Sequence, residues 1–289
     1  MKKNFFGIAS TIIVVIVLVV ILVVLVVNIL PIIGNPTTVT TTSIINSRKG
    51  NRVVLMVLVD NNVYDRRLET AWGISILVKE NNTCILFDTG PSPEILLHNA
   101  QLLGVNFSCI TSIVFSHEHG DHIGGIDALK SYSNNTTIYV PRGFPQGLLE
   151  RLEQEGFNNI VIVNNTLQIL NGIYVLKPLY GPPWEQALVI ETGRGLVILT
   201  GCSHPGITRI VEEAVREFNQ KPYIVVGGFH LIGEPVEKIR NIIEELVNLG
   251  VDKIYPLHCS GDLFRSILER EHPQRYGGGG VGLILDISG

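Results

Sequence analysis

Three of the chain's eight histidines fall within six residues, His117-Glu-His-Gly-Asp-His122, where the apolar run Ile113-Val-Phe115 stops at Ser116. In an extended segment, residues two apart point the same way. His117 and His119 can therefore reach one metal ion, while Asp121 and His122, beyond the turn at Gly120, reach a second. Neutral imidazoles and carboxylate oxygens are the ligand set zinc prefers, and iron, manganese or cobalt can occupy comparable sites. The cluster constrains the fold as well as the chemistry, because a strand has to end where four ligand side chains are needed.

The same arrangement recurs along the chain. Cys84-Ile-Leu-Phe87 runs into Asp88-Thr-Gly90, and Leu196-Val-Ile-Leu199 into Thr200-Gly-Cys-Ser-His204. Tyr223-Ile-Val-Val226 runs into Gly227-Gly-Phe-His230, and Lys253-Ile-Tyr-Pro-Leu257 into His258-Cys-Ser-Gly-Asp262. Five strands thus deliver polar residues at their carboxyl ends, where the active sites of layered α/β folds gather. Helices are expected from Ser92 and Pro93 through Leu103, with Gly104 as the stop, and from about Pro235 to Leu249, ended by Gly250. Ile207 to Phe218 and Asp262 to Glu271 complete a mixed α/β pattern. His98 and His272 are expected at the solvated surface. Gly277 to Gly280 lacks the strand, turn and helix of a phosphate loop, and reads as a tail turn or a close-packed loop.

Composition changes once, near residue 35. Phe5 to Val27 is broken only by Gly7, Ser10 and Thr11, and no charge lies between Lys3 and Arg48. A helix of that length rises roughly 35 Å, enough to cross a bilayer core of about 30 Å. Residues 1–34 are therefore expected to be a single membrane anchor, with residues 5–27 in the lipid bilayer. Residues 35–52 are expected to be a Thr-rich stalk and residues 53–289 the globular domain. Lys2 and Lys3 beside the span place the amino terminus inside and the domain outside the cytoplasm. Sequons at Asn81, Asn106, Asn134, Asn135 and Asn164 agree with that placement. The 22 Lys and Arg residues, Lys2 and Lys3 among them, stand against 26 acidic ones, so nucleic acid is not an expected partner. Cys84, Cys109, Cys202 and Cys259 show no CxxC spacing, which indicates neither a zinc ribbon nor a redox motif, and a disulfide stays possible outside the cell.

His117-Glu-His-Gly-Asp-His122 matches the HxHxDH signature of the metallo-β-lactamase superfamily, which the chain resembles over about residues 53–270. Ser-His-x-His-x-Asp-His-x-Gly-Gly, followed by Gly-Cys-Ser-His, Gly-Gly-Phe-His-Leu and Pro-Leu-His-Cys, looks like the subgroup that includes archaeal 7,8-dihydropterin-6-methyl-4-(β-D-ribofuranosyl)aminobenzene 5′-phosphate synthases. The resemblance implies an αββα sandwich. It makes Asp88 a partner that orients a ligand histidine, and His258 the last ligand of the superfamily pattern. One departure stands out: the superfamily's third motif is a histidine after HxHxDH, and this chain has none between His122 and His204. His204 is expected to supply the missing imidazole, completing a site with His117 and His119, while Asp121, His122 and His258 hold the other. Cys202 stands where a bridging carboxylate is usual, as a ligand or as a buried structural thiol. His230 is a ligand or a substrate contact.

The leading expectation is hydrolysis of a small-molecule substrate by metal-activated water, with Asp121 sharing the proton. The subgroup implies an alternative, group transfer in which an amine displaces diphosphate. A metal-binding sensor without catalysis is the third reading.

Overall fold

The alternation of buried side chains decides the layering. The computed structural model describes residues 52–288. The strands of one sheet are β1 (Val53–Val59), β2 (Ser75–Glu80), β3 (Thr83–Phe87), β4 (Ile110–Val114), β5 (Thr137–Pro141) and β6 (Ile160–Val163). Those of the other are β7 (Leu167–Leu170), β8 (Ile173–Val175), β11 (Leu188–Thr192), β12 (Gly195–Thr200), β13 (Pro222–Gly228) and β14 (Lys253–Leu257). A two-residue hairpin, β9 (Leu179–Tyr180) and β10 (Trp184–Glu185), stands apart from both, and β15 (Ile284–Asp286) returns to the first sheet. The orders are β15-β1-β2-β3-β4-β5-β6 and β14-β13-β12-β11-β8-β7. Pairing is parallel from β3 to β6 and from β12 to β14, and antiparallel elsewhere.

Val53, Leu55 and Val57 of β1 and Val197 and Leu199 of β12 share one buried cluster, so the two sheets face each other. The alternate residues point outward under helices. Leu58, Leu77 and Leu86 pack with Leu96 and Ala100 of α1 (Pro93–Leu102) and with Ile126 and Leu129 of a 3-10 run over Gly124–Asn135. On the far side Leu196 and Ile198 meet Ile210 and Ala214 of α4 (Ile207–Phe218), Ile239 and Ile243 of α5 (Val236–Asn248), and Phe264 of α6 (Asp262–Glu271). The result is the expected αββα sandwich. Between these helices lie the four-residue α2 (Gly120–Ile123) and α3 (Gln146–Gln154).

Ser92 Oγ accepts from Ile95 N at 3.4 Å at the start of α1, and Gly104 and Gly250 adopt positive φ beyond the ends of α1 and α5, as their sequence punctuation predicts. The Gly277–Gly280 run is close-packed: a Cβ on Gly280 would overlap the Asn62 carbonyl, and one on Gly277 the Tyr255 ring. Cys84 and Cys109 form a disulfide, with 5.1 Å between their Cα atoms. The expected anchor (1–34) and nearly all of the stalk (35–52) lie outside the described residues. Among the described residues no helix is long and apolar enough to cross a membrane.

Candidate metal centre

β3, β4, β12, β13 and β14 end together, and the loops beyond them carry Asp88, His117, Cys202, His204, His230 and His258. Local backbone strain marks the same place. Among the described residues six non-glycines have positive φ, and four of them are Asp88 (56°), Ser203 (64°), His230 (53°) and His258 (45°). The other two are Asn81 and Asn219, a residue type that tolerates this region. Such conformations persist only where the surrounding structure imposes them.

Each of three histidines has its outer nitrogen held, which leaves the inner one free as a donor to metal. Asp88 accepts from Ser116 N (2.7 Å), Ser116 Oγ (2.6 Å) and His122 Nδ1 (2.7 Å). With its proton given to Asp88, Ser116 Oγ accepts from His117 Nδ1 at 2.9 Å. His258 Nδ1 donates to Asn61 Oδ1 at 2.9 Å. Partners of this kind fix the tautomer and ring orientation of metal-ligating histidines.

The free atoms converge. His117 Nε2 lies 3.0 Å from His119 Nδ1, and Cys202 Sγ lies 3.3 Å from His122 Nε2. Asp121 Oδ2 lies 3.3 Å from His258 Nε2 and 3.6 Å from His122 Nε2. Neighbouring ligands around a tetrahedral zinc, at about 2.0–2.1 Å each, stand roughly 3.3 Å apart. His204 Nε2 is buried and has no hydrogen-bond partner, which a coordinated ion would supply. The donor set therefore fits divalent metal. Ligand atoms of His117, His119 and His204 lie within 4.8 Å of one another, as do those of Asp121, His122 and His258. His117, His122 and Cys202 form a third such group between them, and Cys202, His230 and Cys259 a fourth. The His230 ring lies 4.3 Å from that of His204, tilted by 43° to it, outside both ligand triads. His98 pairs with Glu69 at 3.8 Å and His272 with Glu244 at 3.0 Å, and neither joins the cluster.

Electrostatics suit the ligand role. Burial, reinforced by His122, His204 and His119, holds His117 well below the usual histidine range. Burial and the neighbouring His230 and His119 bring His204 down to about 4. Burial also works against protonation of His122, but the Asp88 carboxylate outweighs it and leaves that histidine raised. For Asp121 burial pushes up, yet His258 and His122 prevail and hold it at about 2. The hydrogen bond between Cys259 Sγ and Cys202 Sγ, 3.3 Å apart, pulls the Cys259 thiol down and, with burial, pushes that of Cys202 up; Cys259 Sγ also accepts from His230 N at 3.3 Å.

Several residues that shape the site were not singled out from the sequence. Glu185, buried at the end of β10, accepts from Cys202 N (2.9 Å), Ser203 N (2.8 Å) and His204 N (2.7 Å), and so sets the whole ligand loop. Asp60 accepts from His258 N at 2.7 Å. Its signal was available, since Asp60-Asn-Asn62 follows β1 as the other polar clusters follow their strands. Glu185 gives no such signal, because a lone acid in Pro-Trp-Glu-Gln looks like surface. A Cβ on Gly201 would overlap Ser116 Oγ, so that glycine admits the β12 loop beside Asp88.

Both tryptophans of the chain flank the cluster: Trp72 lies 4.9 Å from the His258 ring, and Trp184 lines a groove of about 390 Å³ with Glu118, His119, Gly143 and Tyr180. Arg142 stacks over Trp184 at 3.7 Å.

Comparison with known proteins agrees with this architecture. The model of the Metallo-beta-lactamase superfamily matches residues 74–258. A 7,8-dihydropterin-6-methyl-4-(beta-D-ribofuranosyl)-aminobenzene-5′-phosphate synthase of Methanocaldococcus jannaschii is 29% identical over 267 residues, 75% of this chain and 91% of that protein. The crystal structure of Tm1679, a metal-dependent hydrolase of the beta-lactamase superfamily, aligns with a TM-score of 0.70 and 28% identity, over 82% of this chain and 100% of that one. Human tRNase Z, short form, shares the fold at 13% identity, with a TM-score of 0.56 over 81% of this chain and 99% of its own.

Proposed function

This chain belongs to the metallo-beta-lactamase superfamily, and from that premise we propose that it is a two-metal hydrolase. His117, His119 and His204 hold one ion, Asp121, His122 and His258 the other, and Cys202 lies between them. Zinc suits this donor set best, with iron, manganese or cobalt as alternatives. Bound there, the ions supply Lewis-acid stabilisation of charge developing on a phosphoryl, carbonyl or sulfuryl oxygen. The observation that carries the reading is the pair of ligand triads meeting where strands of both sheets end, each with its atoms within 4.8 Å. Asp121, 3.3 Å from His258 Nε2 and 3.6 Å from His122 Nε2, is placed both as a charged ligand and as the group that shares the proton of the attacking water. His230, half-exposed beside His204, is placed to meet the substrate. Metal analysis followed by an activity screen over phosphodiesters, lactones, β-lactams and sulfate esters tests this. A metal-loaded chain inactive on every class would contradict it.

A second reading, group transfer, rests on the groove beside His119. Tyr180, Trp184 and Arg142 form a wall that fits a flat ring, as a pterin or an arylamine would present. One assay separates the two. Diphosphate released from a dihydropterin-methyl diphosphate only when an arylamine is added marks a transferase, and release in water alone marks a hydrolase.

For placement in the cell, the reading of residues 5–27 as an anchor with the domain outside is supported by the Cys84–Cys109 disulfide, since such bonds persist chiefly in oxidising compartments. The asparagines of all five sequons are also exposed.

A further inference from the structure

We propose that Cys202 and Cys259 form a reversible disulfide that withdraws Cys202 from the metal centre. The inference deepens the two-metal reading and rests on it. Cys202 Sγ lies 3.3 Å from His122 Nε2 on one side and 3.3 Å from Cys259 Sγ on the other. The same sulfur is thus poised between a metal position and a second thiol. Cys259 belongs to neither histidine triad, and its other neighbours are the Cys202 carbonyl at 3.8 Å, the His230 amide at 3.3 Å and the His230 imidazole. Since Cys84 and Cys109 are already bonded, these are the two free cysteines of the chain, and both are buried.

The topology prepares the approach. Cys202 follows β12 and Cys259 follows β14, with β13 between them. The two sulfurs meet over the end of β13 because Gly228 has no side chain. A Cβ there would lie 2.8 Å from Cys259 Sγ. Closing to a bond of about 2.05 Å requires the sulfurs to move together by roughly 1.3 Å, within reach of side-chain rotation and small loop shifts. With hydrogen peroxide as oxidant, one thiol attacks an oxygen to give a sulfenic acid and water. The second thiol then displaces water from that sulfur. Overall, two thiols lose two protons and two electrons, and one peroxide becomes two waters. A dithiol reverses the step and takes the oxidation with it. A sulfur held in the disulfide no longer offers a thiolate to metal.

The test uses the full-length chain, metal-loaded and metal-stripped, treated with hydrogen peroxide, alkylated and digested without reduction. Mass spectrometry is expected to find Cys202 joined to Cys259 within one chain, with the Cys84–Cys109 peptide as reference in the same digest. The oxidised chain is expected to hold metal about tenfold more weakly, recovering after dithiothreitol and fresh zinc. Cys259→Ser is expected to keep its metal through the same treatment. Separately alkylated or over-oxidised Cys202 and Cys259, or a joined pair with unchanged metal affinity, would overturn the proposal. A chain that binds no metal before oxidation contradicts the metal-centre reading instead.

Discussion

His122 is where proton and metal compete most directly. Burial disfavours its charge, but Asp88 Oδ2 at 2.7 Å raises it above its ordinary 6.5, so the metal-free ring keeps both protons to higher pH than a free histidine. A metal at Nε2 must expel one of them. Metal affinity is therefore expected to rise with pH throughout the range below that raised value, and to level off above it. Calorimetric titration with zinc in two buffers of different ionisation enthalpy should show proton release near neutral pH, and Asp88→Asn should lose that release together with about 10–100-fold in affinity. Identical heats in both buffers for the unaltered chain would be the opposite result. Glu185 acts through the backbone, since Glu185→Ala orphans three buried amides at about 1–3 kcal/mol each. A lower melting temperature and reduced metal content are expected, with partial recovery in Glu185→Gln. An unchanged metal complement in Glu185→Ala would mean that the loop holds its place without that carboxylate.

At the scale of elements, the hairpin of β9 and β10 joins the groove to the ligand loop. Trp184 lines the groove while its neighbour Glu185 caps the loop, and a Cβ on Gly181 would overlap the backbone of His204 and Pro205. Gly181→Ala is expected to displace His204 and weaken one ion, leaving the Asp121, His122 and His258 position intact. Stepwise zinc titration reads this, and equal loss from both positions would contradict it. None of this hairpin was legible in the sequence, because two-residue strands carry no periodicity. The five strands that end in polar clusters were legible, since their β-branched runs stop abruptly at Gly, Asp and His. So were α1 and α5, through the residues that punctuate their ends, and α4 and α6 as the segments that complete the mixed α/β pattern. The short α3 and the 3-10 run over Gly124–Asn135 carry too few apolar residues to announce themselves. In the site, ligand types were readable from residue chemistry, and Asp60 and Asn61 carried the same signal as the other polar clusters by following β1, whereas Glu185 acts only through the fold that carries it to the ligand loop.

At the scale of the whole molecule, the proposed anchor at residues 5–27 predicts that protease added to intact cells releases the domain. Complete protection until lysis would reverse that topology and favour the intracellular synthase reading. Two metal positions, one of them dependent on His204, fix the number of ions each chain carries. A fragment of residues 47–289 keeps every residue of the αββα sandwich, so its metal content can be counted directly. Elemental analysis of the zinc-loaded fragment is predicted to give two ions per chain, one in His204→Ala, and still two in His98→Ala. Two ions retained in His204→Ala, with one lost in His230→Ala, would contradict the assignment and make His230 the ligand.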